Sequence, residues 1–582
     1  LTPTETKALR ANGNVAASWG SVRVVDDNTT AFDASRVQRC TFSGTVHLGC
    51  FHGSVAVSGA DVPCGVYDSA IADSWVAGAA VVSATRVVAN VEVHAGAAII
   101  GCGIVSCTGK TAFGNGMELP LGLDGPGRAT PVFASISVPE AAALAQHKFS
   151  AAEAAAYKEF LKTLTSTLES TKTVVCQGAR VLNSARVTDA LICDHAVVDN
   201  ATVERATLLS AAGEATVVEG GAIVRDALLQ WRAHVDSMGC VEAAVMCEAT
   251  HVDRHGKLLE SLLGPMSGVS EGEVSASLVG PLVGFHHQAL LIAALWPEGK
   301  GNVGYGANVG SNHTSKAPDQ EIRPGEGTFF GLGTCVKFPA NYQASPYTIV
   351  ATGVCALPQR LAFPFSLVNT PGETIKGLSP AINELTPAWV LSDSVYTLWR
   401  NQHKFEARCT SKRHTVETAV FRPAIVDLMV DARERLANPK AEAALVDAKG
   451  KPVWTDRQIV GLGKNYMREA SRQRGIAAYT RYIQLYALAA LAGDSTGPLG
   501  ARVDLCAKEY AAAVPAHPAA VLGGEFGSCA DVPALIARYW AMMDEEWQKT
   551  RDAKGKDAKR GAAVIPDYND VHPSADRDKV VL

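Results

Sequence analysis

Three histidines, His286, His287 and His313, fall close together in the chain, and the last sits in the polar run NVGYGANVGSNHTSKAPDQEIRPGEG at 302–327. An imidazole with an ordinary pKa near ~6.5 is neutral at working pH and can take a proton from a hydroxyl or an amine. His313 is therefore the candidate general base, and His286 or His287 its orienting partner. Asn312, next to His313, can donate a hydrogen bond to a developing oxyanion. Lys316 and Arg323, flanked by Lys300 and Lys337, can hold an anion such as a phosphate. Asn308, Asp319, Glu321 and Gln288 complete the set of candidate substrate-binding groups.

Other constellations carry less. His47 and His52 in HLGCFH, and His251 and His255 in HVDRH, raise the question of zinc, which needs three convergent protein ligands. His94 falls on another face from His47 and His52 and occupies an inward aliphatic slot, so no metal is expected. GIVSCTGKT at 103–111 has five residues between Gly103 and Gly109 where a phosphate-binding P-loop has four. It also follows a coil of the repeat described below, not a parallel strand entering a helix.

A six-residue period positions these groups. Residues 71–106 divide into IADSWV, AGAAVV, SATRVV, ANVEVH, AGAAII and GCGIVS, with Val76, Val82, Val88, His94 and Ile100 last in their sixes. A small residue follows each. That period suits neither a helix nor a hairpin. It suits a chain coiling around a triangular prism, one face per six residues, about eighteen residues per turn. The pattern returns at Val181, Val187, Ile192, Val198, Val203 and Leu209, then at Val218, Ile223, Leu229, Val235, Val241, Met246 and Val252. A third block holds Val303, Val309, Phe330 and Val336, and the polar run interrupts it.

This periodicity resembles the hexapeptide repeat of left-handed β-helix transferases. The segments GFHHQALLIA and GYGANVGSNHTSKAPDQE also resemble a large uncharacterised group within that superfamily. The fold expected is mainly β: a left-handed parallel β-helix with an inserted helical segment and a helical C-terminal region. The boundaries read as 1–138 for N-terminal coils and loop, 139–172 for the inserted helix, and 173–370 for the main β-helix. Residues 371–548 form the helical region, which includes a helix capped by Asp456 with Ile459, Leu462 and Tyr466 on one face and another at about 532–549. Residues 549–582 form a basic tail.

Hexapeptide-repeat acetyltransferases present a histidine on such an extruded loop and follow it with an aromatic-plus-glycine rung, here FFGLGTCVKFP. The resemblance implies acyl transfer from acetyl-CoA or another acyl-CoA to a hydroxyl or amino group of a sugar or sugar phosphate. It implies a homotrimer, or a multiple of one, with sites between subunits. Phosphoryl or nucleotidyl transfer on a phosphosugar is a second reading, although no Gly-rich nucleotide loop precedes the first coils. A catalytically silent scaffold is a third.

Composition bounds these readings. The chain has 582 residues, 47% hydrophobic and 19% charged, with a net charge of −5. That balance argues against a nucleic-acid or membrane-surface binder. The most apolar run, Ala289–Trp296, is far below the roughly 20 residues of a membrane helix. Fourteen scattered cysteines without a CxxC pair read as free thiols of a reducing compartment. Cytoplasm is the expected location, with an organellar matrix as the alternative, since the chain opens at Leu1 and its true start can lie upstream.

Overall fold

A computed structural model describes residues 1–25, 30–310, 321–441, 445–493, 515–527 and 531–581. The chain divides into two compact units. The first comprises Leu1–Gly299, Gly310–Glu321 and Thr410–Thr415; the second comprises Lys300–Val309, Ile322–Cys409 and Val416–Leu582. The fold is mainly β, a parallel β-solenoid of about 17 turns with added helices and a helical C-terminal region.

In the first unit the aliphatic residues stack in register from coil to coil. Val37, Val66, Val82, Ile99, Val181, Val198, Val218, Val235, Val252, Val269 and Phe285 form one inward column. Nearly all are fully buried. Only a closed coil lets parallel strands of two or three residues bury one side chain each and still pair every backbone group with the coils above and below.

The coil is shorter than the expected eighteen residues. Val76 pairs with Val93, Val82 with Ile99 and Val88 with Val105, each step spanning seventeen. One face is a residue short because Asn90, at φ 57°, turns its corner alone. The inward slots assigned to His94 and Ile100 therefore belong to Val93 and Ile99, and His94 stands half-buried against Trp75 at 5.4 Å between rings. The same slip gives Leu208 and Val224 the inward places read at Leu209 and Ile223.

Residues between the coils of Cys107 and Thr173 form an insertion that includes helices Val138–Ala145 and Ala151–Leu168. Each begins with a capping box, Ser137 with Glu140 and Ser150 with Glu153, which satisfies two otherwise unpaired backbone donors. Leu228, Val245, Leu262, Leu278 and Leu295 point outward in register on one solenoid face, and the insertion buries them. Each such burial is worth roughly 1.5–3 kcal/mol.

The second unit has coil geometry of its own at Asn302–Val303, Phe329–Phe330, Ile349–Val350 and Leu367–Asn369. Its helices include Val395–Arg408, Pro423–Ala437, Glu469–Leu491 and Val532–Ala562. An aromatic stack of Tyr347, Phe365, Phe421 and Tyr482, with ring centroids 5.1, 5.8 and 5.4 Å apart, ties coils to helices inside this unit. Two expectations are corrected here. Asp456 caps no helix: its carboxylate accepts the backbone N–H groups of Gly461 and Gly463 at 2.8 and 2.9 Å, and Tyr466 lies in the strand Asn465–Arg468. The basic run from Lys549 to Arg560 is the second half of the long helix, where Lys and Arg continue a favourable helix composition. No described helix is long and apolar enough to cross a membrane.

Candidate functional site

The face that carries the first inward column is not covered by the insertion. Its outward positions are apolar over the early coils, at Val81, Ala98, Ile100 and Leu182, and one column turns acidic from Asp199 onward. In a strand the residues flanking an inward valine both point out, so each coil contributes two outward columns. The column after the valines reads Asp199, Glu219, Asp236, Asp253, Ser270, His286 in register. The column before them contains His234 and His251, paired on adjacent coils. Four carboxylates thus stand one above another at a coil spacing of about 4.8 Å.

Like charges at that spacing repel by ~0.9 kcal/mol in bulk water and ~3.5 kcal/mol at an effective dielectric of 20. Neighbouring side chains relieve part of this. Asn183 Nδ2 donates to Asp199 Oδ1 at 3.0 Å, and Ser237 Oγ donates to Asp236 Oδ1 at 2.9 Å. His234 Nε2 lies 3.0 Å from Glu219 Oε1. Among the described residues no Lys or Arg forms an ion pair with any of the four. Asp253 Oδ1 is shut off from solvent and accepts no hydrogen bond from the described residues.

The corner after this column is built by residues in the left-handed region: Ala84, Gly101, Asn183, Asn200, Gly220 with Gly221, Ser237, Arg254, Glu271 and His287. Small side chains leave a groove of about 450 Å³ along its first part, lined by Ala84, Arg86, Gly103, Asn183, Ala185 and Thr202 among others. It crosses five coils, about 19 Å at ~4.8 Å per coil. Arg86, exposed at one end, is the only charged lining group among the described residues.

A family model described as "Domain of unknown function (DUF4954)" matches residues 1–438. The chain belongs to this family. An "Uncharacterized protein" of Treponema pallidum (strain Nichols) is 31% identical over 196 residues, which is 33% of this chain and 26% of that relative. The chain thus spans about a quarter of the relative's length. A solved structure described as "putative acetyltransferase from Desulfovibrio desulfuricans G20" covers 57% of this chain and 56% of its own at 10% identity. Its TM-score is 0.10, a likeness too slight to carry an argument.

Within this DUF4954 chain, the residues singled out from sequence do not all meet. His286, His287 and Gln288 are exposed at the far end of the corner. His287 Nδ1 lies 3.3 Å from Glu271 Oε2, and the two imidazoles are 6.3 Å apart between centroids. Both Glu321 carboxylate oxygens accept from Arg128 Nη2, at 2.9 and 2.7 Å, while Arg128 Nη1 donates to the Ala145 carbonyl, so Glu321 serves an ion pair with the insertion. In the second unit, Asn308 is exposed and pairs with Cys335, and Arg323 shares a register column with Asn341 and Arg360. His313, Asn312, Lys316 and Asp319 lie outside the described residues.

Lys300, a candidate anion ligand, is committed elsewhere. Its side chain and that of Glu326 are each 3% exposed and form an ion pair at 2.9 Å. The Arg422 guanidinium donates to both Glu326 oxygens, and the Tyr347 hydroxyl donates at 2.5 Å. Burial pushes the Glu326 carboxyl up, but Arg422, Lys300 and Tyr347 outweigh it and hold the group below the usual carboxylate range. Burial, reinforced by the Glu326 charge, raises the Tyr347 hydroxyl well above its ordinary value.

A second buried carboxylate, Glu248 in the first unit, is wrapped by 410–415. The Ser411 hydroxyl donates to it at 2.7 Å, the backbone N–H groups of Lys412 and Arg413 at 3.0 Å, and Arg232 at 3.0 Å. Burial again pushes upward, and these donors prevail. Sequence reading missed both carboxylates, since their partners are distant in the chain. The column Asp199, Glu219, Asp236, Asp253 was accessible to it, because two of its steps are the seventeen residues of the coil.

Proposed function

We propose that the protein is a group transferase that moves an acyl group from a CoA thioester, acetyl-CoA first among them, to a hydroxyl or amino group of a sugar or sugar phosphate. One observation carries this reading: the corner groove, whose small-residue lining across five coils matches an extended chain such as the pantetheine arm of CoA. Its volume lies in the range of small-molecule sites, roughly 300–1,000 Å³. Arg86 is placed to meet a phosphate at the groove's end. In this reading His313 takes the acceptor's proton as the oxygen or nitrogen attacks the thioester carbonyl. The carbon–sulfur bond breaks, and the departing thiolate is protonated. His286 or His287 orients the base, Asn312 stabilises the oxyanion, and Asn308, Lys316, Asp319, Glu321, Arg323 and Gln288 contribute to acceptor binding, Glu321 by way of its pair with Arg128. Four coils, about 19 Å, separate the groove's last coil from His286. Association of copies about a threefold axis supplies the missing proximity, as sedimentation equilibrium would report.

The test is calorimetric titration with acetyl-CoA, beside an assay for thiol release with amino sugars and sugar phosphates as acceptors. Micromolar binding is expected, weakened at least tenfold by Ala185→Trp, an exposed position where the indole fills the groove. His313→Ala should bind CoA normally and lose turnover. Absence of binding by the wild type, or binding indifferent to Ala185→Trp, overturns the proposal.

A further inference from the structure

The polar ladder contains a group of three metal-ligating side chains that the acyl-transfer reading does not use and that contact one another and Ser237. We propose that Glu219, His234 and Asp236 form a binding site for one divalent first-row transition ion, with Zn²⁺ the best match. One coordinating atom from each lies within 4.8 Å of the other two. The donors come from two adjacent coils, at Val217–Glu219 and His234–Val235 and the residue after it. Because Val218 pairs with Val235, Glu219 stands directly beside Asp236, and its longer side chain reaches diagonally to the His234 imidazole.

Several features favour an ion over a surface hydrogen bond. The imidazole and the Glu219 carboxylate are each 42% exposed at the side chain, so the site can be reached from solvent. Gly220, at φ 63°, leaves open the space that a Cβ would contest with the Asp236 carboxylate. Among the described residues no Lys or Arg side chain is ion-paired to these carboxylates, and the ion-pair partner of Glu219 is the imidazole of His234. One coil further on, His251 pairs in register with His234, and Asp253 brings a desolvated Oδ1 that has no hydrogen-bond partner among the described residues.

The donor set selects the ion. Ca²⁺ and Mg²⁺ call for six or more oxygen ligands, while one imidazole with two carboxylates suits Zn²⁺ and its neighbours. Three protein ligands leave a coordination position open, which is the arrangement of sites that exchange a bound water or anion rather than purely structural ones.

The experiment uses the full chain stripped with a chelator, titrated calorimetrically with Zn²⁺, and analysed for metal content after gel filtration. The wild type is expected to retain one Zn²⁺ equivalent more than His234→Ala. Its affinity for that equivalent should exceed that of Glu219→Gln at least tenfold. His255→Ala, two residues beyond Asp253 at the corner, should behave as wild type. Zn²⁺ should raise the melting temperature of wild type but not of His234→Ala, whose metal-free melting temperature serves as the folding control. Equal zinc content and affinity in wild type and both ligand variants would overturn the proposal. So would binding of Ca²⁺ at this face that exceeds Zn²⁺ and survives His234→Ala.

Discussion

The buried cluster of Lys300, Glu326, Arg422 and Tyr347 makes an asymmetric prediction. It holds two cations and one anion at side chains that are mostly excluded from solvent. Glu326→Gln keeps the shape but removes the only negative charge, leaving Lys300 and Arg422 buried without a counter-ion. Breaking a buried pair in this way costs about 3–5 kcal/mol. Lys300→Met removes a cation and keeps a stem of similar length. Glu326 then still accepts both Arg422 contacts and the Tyr347 hydroxyl, and the remaining group is electrically neutral. Because Arg422 still pairs with Glu326, no buried charge is left uncompensated, and the cost is taken as about 1 kcal/mol, below the 3–5 kcal/mol of a broken pair. At roughly 2–4 °C per kcal/mol for a unit of this size, Glu326→Gln should lower the calorimetric transition of the second unit by about 6–20 °C. Lys300→Met should move it by no more than about 4 °C. Equal shifts for the two variants, or a larger one for Lys300→Met, would refute the charge-counting argument.

Acid should destabilise the protein through the same kind of group. Glu469 is held down to about 2, chiefly by Arg472, and Glu326 and Glu248 also sit below their ordinary value. Depressed carboxyls give their full stabilisation above the ordinary range near ~4.5 and lose it as pH falls through the folded value, so the melting temperature should drop steadily from about pH 5 toward 2. Differential scanning calorimetry across that range checks it. Gly280→Ala should prevent stable folding, since a methyl group there meets the backbone of Pro297 and Gly299 on the next coil. Gly268→Ala should cost about 1 kcal/mol or less, because the group in its way is the exposed His251 ring, which can swing aside. Soluble expression and urea denaturation distinguish the two. Leu262→Asp places a charge under the helical insertion, and limited proteolysis should then cleave within 138–168 well before the coils.

The solenoid was legible because each coil repeats one physical requirement, an inward aliphatic residue at nearly fixed spacing. The five-residue face was not legible, since Val93 and His94 are both acceptable candidates until the Val76 register is known. The helices of the insertion showed in composition. Their purpose, covering Leu228, Val245, Leu262, Leu278 and Leu295, depends on which face each leucine takes, and a one-residue slip reverses that. The histidine pair at 286–287 was found because it is contiguous. Glu219, His234 and Asp236 were passed over because reading in sixes misplaces residues seventeen apart by one position per coil. Glu326 and Arg422 meet only through tertiary packing, which no local pattern records. The strand at Asn465–Arg468 likewise overrode the helical composition around it.

The seventeen-residue coil also sets how this chain can change its length. Removing one full coil between Val218 and Val252 would bring the next valine onto the vacated rung and slide the column of acids together by a single step. Removing one residue fewer or more would rotate every later side chain about the axis unless a corner absorbs the difference, as one does in the sixteen-residue step from Val269 to Phe285. Gain or loss of material in this part of the gene is therefore tolerated in whole rungs or in loops at the corners. Relatives that differ in length should differ in steps of a coil, with the face that carries the acids extended or shortened like a comb losing teeth.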